Sequence, residues 1–150
     1  KNVHLIFLGN KDNDHLTLAK YNGLVRMAKE LGIENKVTIL SGVPVEKVLS
    51  VIDVGVLVSA YEGVPTVLLE YMAYGKPIIA TNHPGCIQLM GDSEFLVPKK
   101  DVGAIVTAMN KLHDNPKMCN EIGERNIQEV KKYSLPEYVT RIEYLINKYK

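Results

Sequence analysis

Apolar residues alternate along this chain between two rhythms. Short unbroken runs, "VHLIFLG" (Val3 to Gly9), "KVTIL", "DVGVLVS" (Asp53 to Ser59), "PIIAT" (Pro77 to Thr81) and "EFLVP", predict strands. The runs at Val3 and Asp53 have the pattern of strands covered on both faces. Between them apolar positions recur at helical spacing: Leu18, Tyr21, Leu24, Val25, Ala28 and Leu31 mark a helix from about Asp14 to Leu31, closed by Gly32 as a left-handed cap. Further helices are expected over Val45 to Val51 after the turn "SGVP", Val64 to Tyr74, Val102 to Leu112, Pro116 to Lys132, and Leu135 to Lys148 after the break "YSLP". No internal repeat or low-complexity tract interrupts the series. Strands alternating with helices call for an α/β domain: a doubly wound parallel sheet with helices on both faces. Ligands of such sheets bind beyond the carboxyl ends of the strands, which directs attention to the loops after Leu8, Leu40, Ser59 and Thr81, with their glycines Gly9, Gly42, Gly63 and Gly85.

Composition narrows the class. A chain of 150 residues fits one domain and buries about 70% of its unfolded surface. Its 18 Lys and Arg against 17 Asp and Glu give a net charge of +1 without a basic block, which argues against nucleic acid as a partner. Cys86 and Cys119 stand apart from each other and from any ligand-like His spacing, so neither a metal site nor a disulfide framework is expected, and a cytoplasmic setting fits. No apolar run approaches the length of a membrane span. The chain opens at Lys1 on a strand, without an initiating Met, the pattern expected of a piece of a longer protein.

The stretch "SAYEGVPTVLLEYMAYGKPIIAT", Ser59 to Thr81, carries the candidate chemistry. Its helix has only Thr66 and Glu70 as polar residues, so it is expected to be buried nearly all round, with Glu70 needing a partner. Glu62 lies in the loop before it, with seven residues between the two carboxylates. Gly63 lets the backbone pass close to a ligand, and Pro65 suits a first helical turn, which makes Val64 the expected N-cap. The amides of Thr66 and Val67 then form an anion site at the positive end of the helix, suited to phosphate. Glu70, one turn beyond Thr66, is placed to accept hydrogen bonds from a ribose diol, and Glu62 to meet a sugar. The competing reading is an ion pair for Glu70 and a solvated loop position for Glu62; spacing alone leaves both open.

The same residues closely resemble the signature of retaining, nucleotide-sugar-dependent glycosyltransferases of the GT-B fold, family 4. The pattern "SxxEGxPxxxLEAMAxGxPVIAT" is matched at Ser59, Glu62, Gly63, Pro65, Leu69, Glu70, Met72, Ala73, Gly75, Pro77, Ile79, Ala80 and Thr81. The stretches "LAKELGIENKVTILSGVP" and "FLVPKKDVGAIVTAMNKLHDNP" also fall in the order of that family's C-terminal, Rossmann-like donor-binding domain, so residues 1–150 resemble part of that domain without the N-terminal acceptor domain. The resemblance implies Glu62 at the donor sugar as the catalytic-site residue, and Gly63, Val64, Thr66, Val67, Glu70 and Gly85 around the donor. It places Ser41 and Gly42 by the base. It implies a nucleotide diphosphate sugar as substrate, no metal or other cofactor, and a glycan or lipid-linked acceptor held by the N-terminal domain, with peripheral membrane association of the full-length protein. The family's role in polysaccharide biosynthesis comes with it.

Two departures follow from the comparison with that signature. The family's "TxxGGxxE" is "TNHPGCIQ" here, with Pro84 for the first Gly and Gln88 for the Glu, leaving Gly85 as the matching glycine; for His83 the two readings are a residue reaching the donor from this loop and, the commoner case for a lone loop His, a surface residue. The domain's usual first strand, with its Gly-rich turn and its Arg and Lys pair, is expected to precede Lys1 in the longer protein, as is the acceptor domain. That strand would lie between those at Val3 and Asp53, so the sheet is expected to close the gap, swap, or self-associate there. The terminal segment "YSLPEYVTRIEYLINKY" places Tyr138, Ile142, Leu145, Ile146 and Tyr149 at helical spacing; packing on the domain's own core is the first expectation, and the alternative is an interaction surface, since the resemblance implies a similar helix packing toward the N-terminal domain, which would leave part of the stripe exposed here. Two rival functions are a sugar-nucleotide epimerase of similar fold and a non-catalytic nucleotide-sugar-binding module.

Overall fold

A computed structural model of the protein describes residues 2–9 and 15–149. The class is α/β with parallel strands, in two compact units, Lys1–Val51 and Ile52–Lys150.

In the first unit β1 (Leu5–Leu8) pairs in parallel with β2 (Val37–Leu40), Leu5 opposite Val37 and Leu8 opposite Leu40. Helix α1 (His15–Glu30) makes the crossover; its expected start at Asp14 lies outside the described residues. The helix ends as its sequence predicts. Gly32 takes φ 64°, Ile33 N–H donates to the Ala28 carbonyl at 2.9 Å and Gly32 N–H to that of Lys29 at 3.0 Å, the Schellman closure. A 3₁₀ turn over Glu34–Lys36 leads into β2, and the short helix α2 (Val45–Leu49) follows the turn at Gly42. The expectation that β1 is covered on both faces does not hold: Leu5 and Leu8, at its two ends, remain 36% and 37% exposed.

The second unit holds β3 (Gly55–Leu57), β4 (Ile78–Thr81) and β5 (Leu96–Val97) in that parallel order. Among the described residues the strands form two separate sheets, β1-β2 and β3-β4-β5. β4 is buried along its whole length because helices cover both of its faces. Ile78 and Ala80 point to one face, against Leu68 and Met72 of α3 (Thr66–Ala73) and Cys86 and Leu89 of α4 (Pro84–Met90). Ile79 points to the other with Phe95 and Val97, against Ala108 and Leu112 of α5 (Val102–His113), while Met118, Cys119 and Ile122 of α6 (Pro116–Val130) pack around that cluster. The strand's period of two thus divides one unbroken apolar run between two cores.

Two helical expectations are corrected. The segment after Thr81, read as a loop, is helix α4, begun by Pro84 at its first position with His83 as the N-cap residue. α7 (Leu135–Lys148), entered through a 3₁₀ turn at Lys131–Tyr133, has the predicted bounds but not the predicted packing: none of its residues is buried, and Tyr138, Ile142, Leu145 and Ile146 are all exposed.

Candidate functional site

The connection from β3 to α3 brings most of the candidate residues together. Pro65 is the N-cap residue, with φ −76° and ψ 106°, and its carbonyl accepts the N–H of Leu68 at 3.1 Å. The helix therefore begins at Thr66, and Val64, the residue expected to cap it, stands one position further out, exposed. Extended Pro65 is what delays the start. The amides of Thr66 and Val67 precede the first helical hydrogen bond and no side chain caps them, so the positive end of α3 is open.

α3 is not buried all round. Leu68 and Met72 face the core, whereas Thr66, Glu70 and Ala73 are exposed, because a helix lying on a sheet buries one stripe and leaves the other free. Glu70 is accordingly a solvent-facing carboxylate one turn from Thr66, and Glu62 is half-buried in the loop. Among the described residues neither forms an ion pair or a side-chain hydrogen bond, so the structural ion pair weighed for Glu70 is not formed. Gly63 is exposed, and a Cβ there would meet nothing within 4 Å. Glu62, Gly63, Val64, Thr66, Val67 and Glu70 thus line one open segment.

The floor under this segment comes from β4 and α4. Thr81 Oγ1 donates to the Ser59 carbonyl at 3.0 Å, and His83 Nε2 lies 3.0 Å from the same oxygen. A carbonyl only accepts, so Nε2 carries the proton. His83 is 1% exposed, which corrects its reading as a surface residue; its ring also meets that of Tyr61 edge-on, centroids 6.2 Å apart. Gly85 is buried at the start of α4 against the loop itself, where a Cβ would sit 1.6 Å from the Gly63 carbonyl oxygen. Gly85 therefore enters the site as the backbone on which the loop rests. Beside it Cys86 is fully buried; burial pushes its thiol up, a bond to the His83 backbone opposes this, and the charge of Glu62 adds to the rise. That thiol is a packing group rather than a nucleophile.

Ser41 and Gly42 belong to the first unit, exposed in the turn after β2, where Gly42 takes φ 68°. No group of three or more His, Cys, Asp or Glu among the described residues is arranged to hold a metal ion. No helix among them is long and apolar enough to cross a membrane. Sequence reasoning missed Tyr61 and the burial of His83; Pro84 was the available signal, since a Pro opening a helix makes the residue before it an N-cap.

Comparison with known proteins bears on this arrangement. The family model described as "Glycosyl transferases group 1" matches residues 1–129. The putative glycosyltransferase EpsD of Bacillus subtilis is 28% identical over 92 residues, 60% of this chain and 24% of that protein. The MMP alpha-(1->4)-mannosyltransferase of Mycolicibacterium hassiacum is 30% identical over 105 residues, covering 66% of this chain and 26% of that one. Among solved structures, Anabaena HepE in complex with UDP superposes with a TM-score of 0.87 at 19% identity, over 97% of this chain and 41% of HepE. The chain thus spans about a quarter of the length of these two curated relatives.

Proposed function

Because the chain belongs to the glycosyl transferases group 1 family, we propose that it is the donor-binding part of a retaining glycosyltransferase, C-terminal to an acceptor domain. It takes a nucleotide diphosphate sugar, for transfer to a glycan or lipid-linked acceptor. The observation that carries this is the state of the segment from Glu62 to Glu70: two carboxylates without a cation partner flank a helix start with open amides. The amides of Thr66 and Val67 receive the diphosphate, where the helix dipole stabilises the charge that grows as the glycosidic bond breaks. Glu70 accepts hydrogen bonds from the ribose diol. Glu62, nearer the loop tip, accepts from hydroxyls of the donor sugar and holds its anomeric carbon toward the acceptor, as a positioning carboxylate rather than a nucleophile. The departing diphosphate is neutralised without a metal in this scheme, so a chelator leaves transfer unchanged. Capture of the similarly folded HepE with UDP is in keeping with a nucleotide ligand.

The test is calorimetric titration with UDP, GDP and ADP, repeated on Glu70→Ala. One nucleotide binds selectively, and loss of Glu70 weakens it by about 1–3 kcal/mol, the cost of losing hydrogen bonds to a charged acceptor. Binding of the selected nucleotide unchanged by Glu70→Ala removes the ribose role, and no binding of any of the three removes the donor-site reading.

A further inference from the structure

We propose that His83 is the positioning residue for Glu62, setting how the sugar half of the donor is held; this rests on the donor-site reading above. A buried imidazole is costly unless its polar atoms are bonded. His83 is an N-cap residue, yet its side chain makes no capping bond to α4. Its Nε2–H is spent instead on the Ser59 carbonyl at 3.0 Å, the oxygen that Thr81 also binds.

Ser59 lies three residues before Glu62, and two further holds fall on either side of that carboxylate. The His83 ring meets Tyr61 immediately before Glu62, and Gly85, two residues after His83, supports the Gly63 carbonyl immediately after it. Glu62 therefore projects from a loop held at Ser59, Tyr61 and Gly63 by the short segment Thr81 to Gly85. Of these holds, two are made by the one side chain of His83. An apolar residue of similar size fills the same space but leaves the Ser59 carbonyl with one donor fewer and the loop free to shift. A shift at Glu62 misplaces the sugar, while the diphosphate site at Thr66 and Val67 belongs to α3, whose own packing on Leu68 and Met72 holds it.

This gives a readout that a merely structural role does not move. His83→Leu removes the N–H donor and keeps apolar packing; His83→Gln places an amide N–H where Nε2 stood. The nucleotide selected from UDP, GDP and ADP, and its glucose or mannose conjugate, are titrated into wild type and both variants. In His83→Leu, free nucleotide binds within about twofold of wild type and the sugar conjugate loses about tenfold, as a displaced positioning group costs; His83→Gln restores the conjugate. In parallel, amide exchange in the ligand-free protein becomes faster at residues 60–64 in His83→Leu alone.

Equal binding by all three proteins overturns the proposal, as does an equal loss of free nucleotide and conjugate. If His83→Leu does not fold, His83→Asn, whose amide falls short of Ser59, takes its place with the same expectations. If wild type binds no nucleotide, the donor-site reading fails, and the exchange data still decide the rest. Selective loosening of residues 60–64 upholds the anchoring of the loop, and unchanged exchange overturns it.

Discussion

At the residue scale, Gly85 and Gly63 face each other but differ in what they tolerate. A Cβ on Gly85 would lie 1.6 Å from the Gly63 carbonyl oxygen, so Gly85→Ala drives the loop off α4. The expected cost is about 1–3 kcal/mol in urea unfolding, the range for overpacking a filled site, with weaker donor binding. Gly63→Ala meets only open space and leaves stability within about 0.5 kcal/mol. The reverse ranking of the two variants would show that the loop does not rest on Gly85. That Thr66 and Val67 stand at a helix start, with Glu70 one turn on and Glu62 in the loop before them, was legible from spacing, because a helix start and its first turn are local facts. The burial of His83 and the close approach of Gly85 were not, since each depends on a residue more than twenty positions away.

At the element scale, α3 is fixed at both ends by its neighbours. Its C-terminus closes on Gly75 at φ 61°, with Lys76 N–H on the Tyr71 carbonyl at 2.9 Å, and Gly123 of α6 approaches so closely that a Cβ there would sit 2.2 Å from the Gly75 oxygen. Asn126 Nδ2 donates to the Lys76 carbonyl at 2.8 Å, fastening the turn that leads into β4. The middle of the helix lays the Tyr71 ring over Gly55 of β3. Burial pushes the Tyr71 phenol up; a backbone hydrogen bond from Val56 opposes this, and the neighbouring charge of Glu70 adds to the rise.

The phenol ionises more readily in the unfolded chain than in the folded one. Its contribution to stability is therefore complete below the ordinary phenol range near pH 10, and is lost as pH rises from there through the folded value. Urea midpoints of wild type should fall more steeply above about pH 10 than those of Tyr71→Phe, which cannot ionise there; parallel curves would refute the assignment. Helix bounds set by Gly and Pro were readable in advance, as at Gly32 and Leu135. α4 escaped notice because its seven residues are too few to show a period and its Pro84–Gly85 start has the signature of a turn.

At the scale of the whole molecule, the α/β class followed from the alternation of rhythms, whereas the division into two sheets rests on pairings that no local pattern records. α7 shows the same limit. Its apolar stripe predicted a packed helix, yet Ile142 and Leu145 are 39% and 47% exposed. Replacing both with Ser should lower the unfolding free energy of this chain by less than about 2 kcal/mol, because a large part of each side chain already meets water; a loss of about 4 kcal/mol or more, the cost of emptying two core positions, would mean that the helix does pack. The fastening of residues 59–63 onto residues 81–85 bears on recombination between relatives. A chimera whose crossover falls between Pro65 and Thr81 inherits the loop from one parent and its support from the other. Exchanged together, the two segments travel as one cassette, and donor preference is expected to follow the pair rather than either piece.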